Sequence, residues 1–165
     1  MGSRVRIAVR CVGGQVDRRQ FDEVVAFAIE KEQEAADAYI TASRIVKRAN
    51  VSEMLREFAA EEERHRRKLE EIDPARVEDA DVSDIPDLRI SDYSDGVEIT
   101  EQMDYQDVLS VAMKREEAAH NLYTMLASNT SDGRLRKLFE LLAAEEAKHK
   151  LALEKEYDEH VLSEN

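Results

Sequence analysis

Shifting this chain by 84 residues lays its second half on its first without a gap. Val24 falls on Val108, Ala28 on Ala112, Glu32 on Glu116, Ala35 on Ala119 and Tyr39 on Tyr123. The run Phe58-Ala59-Ala60-Glu61-Glu62 falls on Leu142-Ala143-Ala144-Glu145-Glu146, followed by His65 on His149 and Leu69 on Leu153. Chance does not keep Glu, Tyr and His in register across both pairs of segments, so the chain reads as a duplicated unit.

Each unit reads as a helical hairpin, because its apolar stripe advances by alternating steps of three and four. The four stripes run from Phe21 to Val46, Val51 to Ile72, Tyr105 to Leu126 and Leu135 to Leu153. Every stripe is interrupted by Glu, or by Glu and His, at positions that face the core. The expected class is all-α: a four-helix bundle over residues 17–162, with helices over about 18–48, 51–72, 104–128 and 132–161. Asn50, with Glu53 three residues later, resembles a capping box opening the second helix. The cluster Asn129-Thr130-Ser131-Asp132-Gly133 breaks the second hairpin.

The segment 73–103 is expected to be a crossover. Its stretch 73–101 holds Pro74, Pro86, ten acids and two bases, and its 29 residues easily span a helix of about 33 Å. That reach permits an up-down-down-up order, which the pseudo-twofold of the duplication favours. Residues 1–16 alternate Arg4, Val5, Arg6, Ile7 like a short strand and read as a loosely attached tail.

Composition narrows the function. At 165 residues the chain is one domain, and its formal charge of −13 argues against nucleic acid or an anionic membrane as partner. The longest apolar run, Val24 to Ile29, is far short of the ~20 residues that cross a bilayer. Cys11 is the only cysteine, which excludes an intrachain disulfide and a cysteine-ligated iron or zinc site and suits a cytoplasmic location.

The chemistry lies in the interrupted stripes. Glu32, Glu62, Glu116 and Glu146 converge with His65 and His149 at one level of the core. Four buried anions demand protonation or cations. Two divalent ions balance them, since the imidazoles are neutral ligands. Glu62-x-x-His65 and Glu146-x-x-His149 each put two ligands on one helix face a turn apart. Mixed carboxylate and imidazole donors suit iron or manganese, accept zinc and disfavour calcium. Without metal, crowding and desolvation are expected to raise the pKa values of all four carboxyl groups.

The motifs Glu32-x-x-Ala35-x-x-x-Tyr39 with Glu62-x-x-His65, and Glu116-x-x-Ala119-x-x-x-Tyr123 with Glu146-x-x-His149, resemble the rubrerythrin branch of the ferritin-like superfamily. The resemblance covers residues 20–160. It implies a ferritin-like bundle holding two iron ions, with Glu62 and Glu146 bridging, Glu32 and Glu116 terminal, and one nitrogen from each of His65 and His149. It implies a non-haem di-iron oxidoreductase of peroxidase or ferroxidase type, acting on peroxide or dioxygen, and a homodimer. The alternative is an iron-binding, storage or delivery protein without significant turnover.

This sequence departs from the family pattern twice. A rubredoxin domain needs two CxxC pairs, so the electron relay is expected to be an external redox protein. The family's extra carboxylate ligand, three residues after the third-helix Glu, is replaced by Ala119. His120 is the nearest substitute, although a stripe-edge histidine is the simpler reading. Tyr39 and Tyr123 follow their Glu by seven residues on the same stripe, so each hydroxyl is expected to meet a ligand carboxylate or to serve as an ordinary core aromatic. His160 is expected to be solvated near the end of the last helix.

Overall fold

The computed structural model describes residues 18–72 and 97–160, with side chains from Asp22 onward. The tail 1–16 with Cys11, the side chain of Phe21 in the first stripe, most of the crossover 73–103 and the last two residues of the expected bundle lie outside what is described. Four helices carry the fold: α1 (Arg18–Ile45), α2 (Ala49–Glu70), α3 (Tyr105–Ser128) and α4 (Gly133–His160). α1 packs along α2 and α3 along α4, so each duplicated half is a hairpin in an all-α four-helix bundle.

Local chemistry starts and stops these helices. Asp104 is the N-cap of α3, its side chain accepting from the Asp107 amide at 2.8 Å, with Asp107 also suited to the positive end of the helix dipole. Asp132 opens α4 in the same manner, taking the Arg134 and Leu135 amides at 2.7 and 3.0 Å. Asn129 closes α3, its backbone N–H and side-chain amide both reaching the Met125 carbonyl.

The α1–α2 turn differs from the capping box expected at Asn50. α2 begins at Ala49 with Arg48 as its N-cap and no side-chain cap, which leaves Asn50 exposed inside the first turn. Its side chain is two positions past the N-cap, too late to receive the free N–H groups. The turn is fastened elsewhere: the buried Ser52 hydroxyl donates to the Ser43 carbonyl at 2.6 Å, satisfying an acceptor that the end of α1 leaves open.

The core falls into two apolar clusters. One gathers Val24, Val25 and Ala28 of α1, Leu69 of α2, Leu122 to Ala127 of α3, and Leu135 to Ala143 of α4. The other gathers Tyr39 to Val46, Val51 to Ala59, Val108 to Ala112, and Leu153. α2 and α3 therefore both run from the second cluster to the first, while α1 and α4 run the opposite way. This is the up-down-down-up order. Ile99, near the end of the crossover, is buried in the second cluster, so that end of the acidic segment is packed rather than solvated.

The capping assignments predict unequal costs. Asp104→Ala should lower stability by about 0.5–2 kcal/mol, whereas Asn50→Ala should stay within about 0.5 kcal/mol. Urea unfolding of the two variants measures the difference, and equal losses would contradict the caps described.

Candidate metal centre

Between the two apolar clusters lies a polar layer. α1 supplies Glu32, α2 Glu62 and His65, α3 Glu116, and α4 Glu146 and His149, all with side chains within the core. Glu32, Glu62, His65 and Glu146 offer one donor atom each within 4.8 Å of one another, and so do Glu62, Glu116, Glu146 and His149. Glu62 and Glu146 are common to both sets.

The two shared carboxylates divide their oxygens between the imidazoles. Glu62 places Oε2 3.0 Å from His65 Nδ1 and Oε1 3.0 Å from His149 Nδ1. Glu146 places Oε1 2.9 Å from His65 Nδ1 and Oε2 3.8 Å from His149 Nδ1. Glu32 reaches only His65, at 3.4 Å, and Glu116 only His149, at 3.5 Å. The imidazole rings face each other with centroids 6.2 Å apart.

Seven atoms of this layer are buried at ion-pair distances yet without hydrogen-bond geometry: Glu32 Oε2, both oxygens of Glu62, His65 Nδ1, Glu116 Oε2, Glu146 Oε1 and His149 Nδ1. Buried polar atoms are nearly always hydrogen-bonded. Seven orphans in one layer, all oxygen or imidazole nitrogen, fit a pair of metal ions of intermediate hardness.

Residues 107–165 match the family model described as Rubrerythrin, a stretch that holds Glu116, Glu146 and His149. Among solved structures, the chain is similar to a hypothetical protein from Pyrococcus furiosus, with a TM-score of 0.65 and 23% identity over 83% of this chain and 87% of that one. No curated protein matches the chain. The second hairpin is rubrerythrin-like.

Several candidate residues now have places in the bundle. The Tyr123 hydroxyl donates to Glu32 Oε1 across the bundle, which fixes the carboxylate and leaves its other oxygen in the layer. Tyr39 is equally buried, but its hydroxyl has no hydrogen-bond partner among the described residues. It packs edge-on against Phe58, whose ring stacks on His149 at 4.1 Å. His120 stands apart from both ligand sets and pairs through Nδ1 with the Ala143 carbonyl at 2.8 Å. His160, expected to be solvated, is half-buried and takes a guanidinium contact from Arg48 at 2.8 Å.

Two residues that touch the layer, Glu61 and Glu145, entered the sequence reading only as partners in the repeat. Glu145 meets His65 Nε2 at 2.8 Å and Glu61 meets His149 Nε2 at 2.5 Å. Their signal was the Glu-Glu doublet at the same place in both halves.

The electrostatics of the metal-free layer depart from a uniform rise in carboxyl pKa. Burial pushes Glu32 up to about 7, and burial with the charges of Glu62 and Glu116 holds Glu146 well above its ordinary value. Burial acts on Glu62 in the same sense, but the flanking His149 and His65 outweigh it and bring Glu62 down to about 2. Burial would lower both imidazoles, yet the surrounding carboxylates raise His65 to about 12 and His149 to about 11. Protonated histidines thus stand in part where cations are needed. Burial and the charge of Glu32 keep the Tyr123 phenol protonated and donating.

These shifts set a pH dependence for the metal-free protein. Glu32 contributes stability below its ordinary 4.5, lost as pH rises through about 7. His65 and His149 contribute below their ordinary 6.5, lost as pH rises toward 11 and 12. Glu62 contributes above 4.5, lost as pH falls toward 2. The melting temperature in chelator should therefore peak between about pH 4.5 and 6.5 and fall toward pH 9. Thermal melts across that range test this, and a steady rise from pH 5 to 9 would contradict it.

Proposed function

We propose that this chain is a non-haem di-iron oxidoreductase that reacts with peroxide or dioxygen and takes its electrons from a separate protein. The observation that carries the reading is the pair of overlapping donor sets that share Glu62 and Glu146. In this reading Glu62 and Glu146 would be the bridging carboxylates and Glu32 and Glu116 the terminal ones, and His65 and His149 would each supply a nitrogen to one metal. Four carboxylates and two neutral imidazoles balance two divalent ions. When bound, ferrous ions supply the electrons that reduce peroxide or dioxygen.

The chain's own contribution is to hold ligands and exclude water. Tyr123 restrains Glu32, and the apolar clusters close the layer toward both ends of the bundle. The rubrerythrin match covers the second hairpin, and the 84-residue register carries the same donor pattern into the first. With one cysteine the chain cannot build a CxxC relay, which supports an external donor. Among the described residues no helix is long and apolar enough to cross a membrane. The same reading has the protein working as a homodimer in the cytoplasm beside that donor.

One feature favours the alternative of iron binding, storage or delivery without turnover. Ala119 occupies the place of the extra carboxylate, and His120 is engaged with Ala143 rather than with the layer. Anaerobic loading with ferrous iron, followed by stopped-flow mixing with peroxide or dioxygen, separates the two readings. Oxidation in a single fast phase supports the oxidoreductase, and slow oxidation like that of free ferrous iron supports storage or delivery.

Element analysis of protein expressed with iron should find about two ions per chain, the number that balances the four carboxylates. Glu62→Ala or Glu146→Ala should abolish the pair, and His120→Ala should leave it intact. One ion or none in a folded chain would refute the shared site. The loaded centre should oxidise once and stop until a reductant protein is added. Sustained turnover with NAD(P)H alone would contradict this, and Cys11→Ser should leave the oxidation rate unchanged.

A further inference from the structure

We propose that Glu61 and Glu145 are positioning residues for the metal centre, each orienting the imidazole that belongs to the opposite hairpin. The inference rests on the metal-centre reading above and goes beyond its six ligands. Glu145, on α4, meets Nε2 of His65 on α2; Glu61, on α2, meets Nε2 of His149 on α4. The 84-residue shift exchanges the two contacts, so the same arrangement occurs twice with its partners swapped.

An ionised carboxylate can only accept a hydrogen bond, so Nε2 must donate in both contacts. A neutral imidazole carries one proton, and with that proton on Nε2 the free lone pair is on Nδ1. In both residues Nδ1 is the nitrogen that faces the buried carboxylates. Glu61 and Glu145 therefore select the ligating nitrogen and fix the ring plane, the role that carboxylates beside metal-bound histidines commonly play.

Each orienting carboxylate is itself restrained from the surface. Glu145 lies 3.3 Å from Lys68 Nζ, and Glu61 lies 3.1 Å from an Arg64 guanidinium nitrogen. A cation on the solvent side thus anchors each Glu beside its imidazole. The six groups form two short chains, Lys68–Glu145–His65 and Arg64–Glu61–His149, each running from solvent to one metal position. Because the chains do not share a residue, each Glu acts on one metal.

Cobalt(II) titration tests this, read by calorimetry and by visible absorption. Glu61 and Glu145 have side chains 38% and 28% exposed, so Glu61→Ala and Glu145→Ala should fold, which far-ultraviolet circular dichroism checks. Wild type should bind two ions. Each Ala variant should bind one ion as wild type does and the other about 10–100-fold more weakly, with an altered absorption spectrum. Glu61→Gln and Glu145→Gln, whose amide oxygen still accepts from Nε2, should recover most of the loss. Wild-type binding of both ions by both Ala variants would overturn the proposal. Equal losses in the Ala and Gln variants would also overturn it, since they would show a charge effect without orientation. Failure of wild type itself to bind cobalt would instead overturn the metal-centre reading, and the proposal with it.

Discussion

Four carboxylates withdrawn from water at one level of a helical bundle are the constraint on which this structure turns. Taking a single ion into a protein interior costs several kcal/mol even after relaxation. Glu32, Glu62, Glu116 and Glu146 are each at most 3% exposed. Such a layer survives only with compensating positive charge. Two imidazoles supply part of it in the metal-free protein, which is why Glu62 is held far below the carboxylate range while Glu32 and Glu146 are pushed above it. Two divalent ions would supply all of it and release the imidazole protons, so metal binding and proton release are one event.

The same constraint shapes how the hairpins meet. Within each hairpin the helices pack along their length, but across the bundle the middle level is polar and the apolar contact is divided into clusters on either side. Each imidazole there meets a carboxylate of the opposite hairpin, His65 with Glu146 and His149 with Glu62, as well as those of its own. Whatever neutralises the layer therefore joins α1 and α2 to α3 and α4. A metal pair that binds the folded chain and not the unfolded one would stabilise the assembled bundle, by an amount that grows with the logarithm of its affinity.

The fold and the candidate ligands were legible because both are periodic. A gap-free 84-residue register and stripes stepping by three and four placed six polar residues at core positions, and the structure brings those six together. What was not legible depends on single atoms. Asn50 has the chemistry of a cap but sits two residues past the N-cap, a shift that no pattern of residue types reveals. The two tyrosines occupy equivalent positions in sequence, yet only Tyr123 reaches a carboxylate, since hydrogen bonding is decided by fractions of an ångström. Glu61 and Glu145 carry no mark in the sequence beyond the repeated Glu-Glu doublet. Their inward contacts depend on how α2 and α4 face each other, which the sequence of either helix alone does not contain.

The duplication is not a perfect symmetry, and its departures compensate. Where the first half has Leu55 and Phe58, the second has Phe139 and Leu142, so the large and small side chains exchange places while the pair keeps its volume. Close packing demands that conservation, because an unfilled methylene or an extra one is costly in a core. The exchange nevertheless makes the two halves of the polar layer different. Phe58 lies nearly parallel to His149, with 24° between the rings, while the corresponding place beside His65 is held by an aliphatic leucine. Phe139 instead stacks with Tyr123, the tyrosine that reaches Glu32. One imidazole is thus confined by an aromatic face, and on the other side the aromatic pair restrains Glu32. A sequence that repeats its ligands has in this way built two positions of the same charge and donor type in unlike surroundings.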